Sequence, residues 1–382
     1  MSLYLEIHAL QTVPPSCINR DGDGKPKTTH FGGARRLRVS SQAWARAIRM
    51  YFADHGTEIG VRSRIYRVEL LKRARDLLKP AGAIGKSASE ESAIDAATSK
   101  ATDAVLEALL TSAKNAGDEG DENAESGTKA KDTKVALAFY SQAQLNVLTN
   151  LIVAVANGTM ELPTAKTQAK RVVTEAVKKA PSSIDIALFG RMMATSKDLE
   201  IQGAAQFAHA LGVAPFKMEA DYFTAVDDLQ GEDESGAAMM DDIAFGSATL
   251  YRYANINLDL LAQNLQGDRQ TAIDAAMKFA EAFLQSMPTG RIKSFGSRTL
   301  PESVRFVVTD QQPVNLAGAF RKPMAGENID ISAKAWRKLR QYADQVQTQY
   351  GLTPKLTVDS TLGGGTIPAA LTSVRDTLEA WR

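Results

Sequence analysis

The chain has 382 residues, 44% of them apolar and 23% charged, and its 45 basic against 44 acidic side chains leave a formal net charge of +1. That length supports a large core and more than one structural unit, the composition excludes global disorder, and no apolar run is long enough to span a bilayer. A single cysteine, Cys17, excludes an internal disulfide, and the absence of a basic n-region and cleavage site makes cytoplasmic residence the expectation.

Leu3, Leu5, Ile7 and Ala9 alternate with Tyr4, Glu6 and His8, the period of a half-buried strand. Pro14, Pro15, Gly22, Gly24 and Pro26 then predict a long irregular loop. From Lys25 to Arg49, twenty-five residues carry seven Lys or Arg and no acid, with Arg20 just before them. A solvated surface normally intersperses both signs, so this run reads either as a footprint for a polyanion or as an ordinary face neutralised by counter-ions. Within it, RRLRVSS reads as a strand leading into a helix. Ser40 or Ser41 can cap that helix, Trp44, Ala47, Ile48, Tyr51 and Phe52 recur at helical spacing, and Gly56 can end it. Arg46 and Arg49 stand three apart, off much of that apolar stripe.

Val61 to Ala180 is Ala-rich and predicted helical, interrupted by a polar stretch, Ala113 to Lys134, that reads as a flexible loop. The last helix of this part, PTAKTQAKRVVTEAVKKA, places Lys166 and Lys170 at i and i+4, adds Arg171, and ends in Lys178 and Lys179, cations that also complement a helix dipole. After Pro181, SIDIALFGRM, ATLYRYANINLDLL, SVRFVVTD and KLTVD read as strands, and DRQTAIDAAMKFAEAFLQSM, SAKAWRKLRQYADQVQTQYG and SVRDTLEAWR as helices. Strands at both ends of a helical interlude imply an α+β fold with an insertion. Val213 to Gly246, with its acidic DDLQGEDESG turn, reads as a long hairpin leaving the core.

Metal and acid–base chemistry is poorly supported. His8, His30, His55 and His209 lack ligand spacing, and one cysteine cannot build a zinc site. Asp227, Asp228, Glu232, Asp233 and Glu234 lack the pattern of a calcium loop, and Gly363 to Gly365 lack the lysine of a phosphate-binding loop. Asp21 and Asp23 either hold a metal near a phosphodiester or make a turn. No cofactor and no resident metal are expected.

Five motifs in order, PSCINRD, FGGARRLRVSSQAWARAIR, GRMMATS, FTAVDD and YRYANINLDLL, resemble the crRNA-binding backbone subunit of the type I-E CRISPR Cascade complex, called CasC. The resemblance runs from Leu3 to the C-terminal helix and is weakest from Ser87 to Lys134. It implies a right-hand shape: an RRM-like (ferredoxin-like) palm from residues 1–60 and 181–382, a helical fingers insertion at 61–180, and a thumb hairpin at 213–246. It implies a non-catalytic subunit whose copies polymerise along one crRNA, kink it at intervals and present it to target DNA in antiviral defence. The implied partners are crRNA, target DNA, further copies of the chain, the large and small Cascade subunits, the guide-processing endoribonuclease, the 5′-handle-binding subunit and, indirectly, a recruited nuclease-helicase; no membrane is involved.

Residue by residue, the resemblance implies crRNA contacts at Arg20, Lys27, Arg35, Ser40, Gln42, Arg46, Arg49, Arg191 and Met192, the last as an apolar wedge. Tyr222, Phe223, Thr224 and Met240 fall at the thumb, near the displaced base and target strand, and Lys166, Lys170 and Arg171 fall where relatives steer duplex DNA. Ala34 and Ala45 depart from the pattern, standing where relatives can carry lysine. The rival reading is a metal-dependent endoribonuclease like the type III backbone subunits of the same fold, with Asp21 or Asp23 as the cutting residue.

Overall fold

A computed structural model of the chain describes residues 2–78, 88–110, 138–193, 197–225, 239–325 and 330–380. The described chain forms two compact units. One comprises Met1–Thr57, Ala205–Ala262 and Asp268–Arg382; the other comprises Glu58–Ala204 with Gln263–Gly267.

The first unit begins with strands β1 (Tyr4–Ser16), β2 (Thr28–Phe31) and β3 (Ala34–Val39) and helix α1 (Ser41–Asp54). The second unit holds β4 (Val61–Ser63), α2 (Tyr66–Leu78), α3 (Ala88–Leu110), β5 (Ala138–Tyr140), α4 (Gln142–Ala156), α5 (Lys166–Lys179) and α6 (Ile184–Phe189). The chain then supplies β6 (Ala205–Phe207), β7 (Ala210–Gly212), β8 (Glu219–Ala225), β9 (Met239–Asn257), α7 (Leu258–Asn264), α8 (Arg269–Gln285), α9 (Ile292–Phe295), β10 (Ser303–Thr309), α10 (Ile331–Tyr350), β11 (Leu356–Thr361) and α11 (Ile367–Glu379).

Among the described residues the main sheet is antiparallel in the order β11-β10-β1-β9-β7-β3-β2, with β6 and β8 also paired to β9. β1 is therefore interior, and both its faces are covered. On one face Leu10, Tyr251 and Tyr253 pack with Trp336 and Leu339 of α10. On the other, Ile7 stands opposite Ala254, which pairs with Phe207, and the Phe207 ring lies 5.3 Å from that of Phe279 in α8. The expected half-buried strand is thus buried on both faces from Leu5 to Gln11: Leu5 and Ile7 are 0% exposed, but so nearly are Glu6 and His8, at 5% and 1%. Each large apolar side chain so buried contributes roughly 1.5–3 kcal/mol, whereas the buried polar ones need partners. Tyr253 Oη donates to Glu6 at 2.8 Å, and His8 Nδ1 lies 2.9 Å from Tyr251 Oη.

The two prolines read as loop belong to the end of β1. Pairing with β9 shifts register between Val13 and Ser16, a bulge that accommodates residues unable to donate to the ladder. SIDIALFG also differs from expectation: Ile184–Phe189 is a short buried helix, ended by Gly190 at φ 79°, because a short apolar run fits a buried helix as well as a strand. LDLL likewise belongs to α7. A hairpin is formed by β8 and the first part of β9, from Glu219 opposite Phe245 to Ala225 opposite Met239. The acidic stretch predicted as its turn, within residues 226–238, and the whole of the predicted Ala113 to Lys134 loop lie outside the described residues.

The second unit packs Leu70, Val105, Leu109, Leu145, Leu148, Ile152, Val173 and Val177 into one core, with β4 paired to β5. A capping box opens α4: Ser141 Oγ accepts from Gln144 N–H, and the Gln144 side chain accepts from Ser141 N–H.

Candidate nucleic-acid interface

The loop after β1 is a tight ribbon. Asp21 Oδ1 accepts N–H bonds from Asp23 (3.0 Å) and Lys25 (2.9 Å), Lys27 N–H donates to Asn19 O, and Arg38 N–H donates to Lys27 O. Asn19 Oδ1 also accepts from Ser40 N–H at 2.9 Å. One asparagine therefore ties the Arg20–Lys27 loop to the start of α1. Asp21 is engaged as a turn residue, and among the described residues no group of three His, Cys, Asp or Glu is placed to hold a metal ion.

Helix α1 is fixed at its start and along one face. Ser40 Oγ accepts from Ala43 N–H at 3.3 Å, so Ser40, not Ser41, is the cap; it is 6% exposed and its hydroxyl is committed there. Trp44, Ile48 and Phe52 are buried. Beneath Trp44 lies the guanidinium of Arg252, 3.7 Å from the indole ring and 4.3 Å from the Phe283 ring. Its charge is held by Gln11 Oε1 and Phe283 O, and burial pushes its pKa down to about 9. This docking leaves Gln42 and Arg46 exposed and Arg49 half-buried.

The seven cations of the run do not share one role. Lys25, Arg35 and Arg46 are exposed, and Lys27, Arg38 and Arg49 are half-buried. Arg36 is 0% exposed and donates to Gly212 O (2.8 Å) and Phe320 O (3.1 Å), so it pins β3 to the sheet. Arg35 Nε donates to Thr28 Oγ1, and Arg38 Nη1 lies 3.3 Å from His209 Nδ1. The same nitrogen of His209 accepts from Ser41 N–H at 3.2 Å. Burial, then the charges of Arg38 and Lys27, hold the His209 pKa below the usual range. His209 thus serves as a neutral acceptor for the first turn of α1. Sequence reasoning set it aside as a lone imidazole, and no spacing signal links it to a segment 168 residues earlier.

Arg191 and Met192, in the second unit, separate sharply. Arg191 is 5% exposed; its Nε donates to Leu199 O (2.8 Å), and its Nη1 to Phe139 O (3.1 Å) and Gln144 Oε1 (2.7 Å). Its backbone exchanges both hydrogen bonds with Ile201. Met192, next in the chain, is 83% exposed, while Met193 is buried again. On α5, Lys166 pairs with Glu107 at 2.8 Å, Lys170 is half-buried and Arg171 exposed. On the hairpin, Tyr222 is 62% exposed and Phe223 half-buried, paired with Asp242 and Asp241. Thr224 stands opposite Met240 in the ladder; their side chains are outside the description.

Solved structures similar to this chain include one described as "CRISPR RNA-guided surveillance complex, pre-nicking". It matches at 30% identity and TM-score 0.79 over 98% of this chain and all of the matched chain. A second, described as "CRISPR RNA-guided surveillance complex", matches at 27% identity and TM-score 0.69 over 98% of this chain and 99% of the other. No curated protein matches significantly. The family profile described as "CT1975-like protein" matches residues 5–379, from β1 to the end of α11. With nearly every described element inside that match, the chain belongs to the CT1975-like family.

Proposed function

We propose that this chain is a non-catalytic backbone subunit of a type I-E CRISPR surveillance complex, copies of which line up along one crRNA and present it to target DNA. The observation that carries the reading is the set of outward cations, Arg20, Lys27, Arg35, Arg46 and Arg49, on a ribbon and helix fixed by Asn19, Ser40 and Trp44. Such fixed cations suit phosphates, and contacts to phosphate and sugar position a strand without reading its bases. The similar chains in RNA-guided surveillance complexes support the same reading. Sequence is then read by base pairing.

In this reading the palm comprises residues 1–60 and 181–382, the fingers 61–180 and the thumb 213–246. The thumb, with Tyr222, Phe223, Thr224 and Met240, kinks the guide. Met192 wedges between bases, where stacking contacts are worth roughly 1–3 kcal/mol per base, and Arg191 acts by holding the turn that presents it. Lys166, Lys170 and Arg171 lie toward duplex DNA. The partners are the sister Cascade subunits named by the resemblance, in the cytoplasm. Asp21, engaged by two backbone N–H groups, is a poor candidate for a cutting residue.

Native mass spectrometry of the chain co-expressed with a CRISPR array and its neighbouring genes, with sequencing of bound RNA, tests this. Several copies on one guide of defined length are expected; a monomer carrying random RNA, or none, would reject it.

A further inference from the structure

A cleft of about 470 Å³ in the first unit is lined by Ile18, by Arg46 and Tyr51 of α1, and by Ser286, Gly290 and Arg298 of the segment that follows α8. Arg46 and Arg298 are exposed, and neither has a hydrogen bond or ion pair among the described residues. Asp54 is the one carboxylate in the lining, so cations prevail.

The segment behind Arg298 holds an unusual group of unmet polar atoms. Ser286 Oγ, Arg291 Nε and Ser297 Oγ are all buried without a hydrogen-bond partner. Ser286 is 7% and Ser297 0% exposed. Buried polar atoms are ordinarily satisfied, and Ser286 is itself part of the cleft wall. Arg291 moreover holds a left-handed backbone, φ 47°, a conformation that non-glycine residues keep where the surroundings impose it.

The segment is also locked to the Arg20 loop. A Cβ on Gly290 would stand 2.4 Å from Ile18 O, so only glycine allows this approach.

We propose that the Ser286–Arg298 segment is the second wall of a phosphodiester-binding cleft whose first wall is the Arg46 face of α1. Arg46 takes one phosphate of a single-stranded RNA and Arg298 the next. A guanidinium suits this task because its planar fork of donors matches phosphate geometry. The inference rests on the reading of α1 as an RNA-backbone surface and adds a wall that lies outside the Lys25–Arg49 run.

The test is fluorescence anisotropy of the full chain with a 30-nucleotide mixed-sequence RNA, titrated at several salt concentrations, for wild type, Arg46→Ala, Arg298→Ala, the double variant and Arg298→Lys. Each single alanine variant is expected to flatten the slope of log K against log salt by about 0.7, and the double by about 1.4. For Arg298→Ala, the fall in affinity between 50 and 200 mM salt would be about 2.6-fold smaller than for wild type. Arg298→Lys should keep the wild-type slope, since the charge remains. An unchanged slope for Arg298→Ala with a flattened slope for Arg46→Ala would overturn the second wall and leave the α1 reading standing. Unchanged slopes for both would overturn the α1 reading as well. A flattening seen on single-stranded DNA of the same sequence but not on RNA would overturn the assignment to RNA. Arg298 is exposed and unpartnered, so melting temperature serves as the folding control.

Discussion

The β3–α1 region of the first unit and the Arg191–α5 region of the second are both rich in cations, yet they use them differently. Along the run from Lys25 to Arg49 three cations are exposed and three half-buried on a backbone fixed by Asn19, Ser40 and His209, and one, Arg36, is turned in to hold the strand. In the second unit the buried Arg191 holds a turn by its carbonyl contacts, and the leading lysine of α5 is occupied by Glu107. Charge density in sequence therefore marks a region but does not say which of its cations are available to a ligand. Availability is decided by carbonyls and carboxylates supplied from elsewhere in the chain.

The largest way to break the comparison is Arg191→Ala. Removing the guanidinium takes its bonds from Leu199 O and Phe139 O in a buried site and leaves Gln144 Oε1 only the Ser141 N–H, and lost partners of a charged group cost about 2–4 kcal/mol together. Urea denaturation should show that loss, with Arg191→Lys recovering little of it because a point charge cannot reach three acceptors in a fixed fan. A loss under about 0.5 kcal/mol, the range of surface substitutions, would mean that Arg191 is not structural and would return it to the direct RNA contacts.

Next in size is the buried face of β1, where polarity serves neither ligand nor surface. Burial raises the Glu6 carboxyl from 4.5 to about 7, against the lowering effect of its bonds from Tyr253 and Val314. A raised folded-state pKa means that this group's contribution is fully present below about pH 4.5 and is lost as pH rises through 7. The limiting size is on the order of 3 kcal/mol. His8 works in the opposite sense: burial and then Arg305 lower its pKa from 6.5 to about 3, so its contribution is present above 6.5 and lost as pH falls toward 3. In wild type the two trends oppose each other between pH 4.5 and 6.5. Glu6→Gln removes one of them. Its stability, followed by urea unfolding at fixed pH values, should climb from pH 4 to 6.5 and then stay level where wild type declines. A parallel decline in the variant would show that Glu6 is not the titrating group.

A smaller effect distinguishes the ligand-facing cations of the basic run from the structural ones. Lys27→Ala should weaken single-stranded RNA binding without sequence preference and flatten the salt slope by about 0.7, with melting temperature unchanged. Arg36→Ala should do the reverse, lowering the melting temperature while any folded fraction keeps the wild-type slope. If Arg36→Ala flattened the slope as Lys27→Ala does, the division of the run into ligand-facing and strand-pinning cations would fail.

The same division explains what could be read from the sequence. The strand–loop–helix order from Leu3 to Gly56, a cap at Ser40 or Ser41, which the structure gives to Ser40, and the outward Arg46 are local matters, set by alternation, turn residues and helical spacing within about fifty residues. The inward turn of Arg36 depends on carbonyls of Gly212 and Phe320, 176 and 284 positions later. The burial of Glu6 and His8 depends on α10, which with α8 on the opposite face arrives beyond residue 260, so that both faces of a strand whose alternation suggested one are covered. Ile184–Phe189 carried no period long enough to tell helix from strand. Arg298 lies far along the chain from the Lys25–Arg49 run, so only the closed fold brings it to the cleft that Arg46 also lines.

The smallest effect concerns α5, and it tests whether a paired cation can still serve. Lys166 and Glu107 are both solvent-exposed, and their 2.8 Å contact raises the lysine pKa through the hydrogen bond and then the charge of the carboxylate. A surface pair of this kind adds little to stability, so its consequence lies in competition: duplex DNA must displace Glu107 to use Lys166. Glu107→Gln should therefore steepen the salt slope for duplex DNA by up to about 0.9, one further phosphate, while leaving single-stranded RNA binding as it was. Lys166→Ala in the same background should cancel the gain. If Glu107→Gln leaves duplex binding unchanged while Arg171→Ala weakens it, the helix meets DNA through its exposed Arg171 alone, and the Lys166–Glu107 pair is ordinary surface chemistry, as i, i+4 spacing and a helix terminus already allowed.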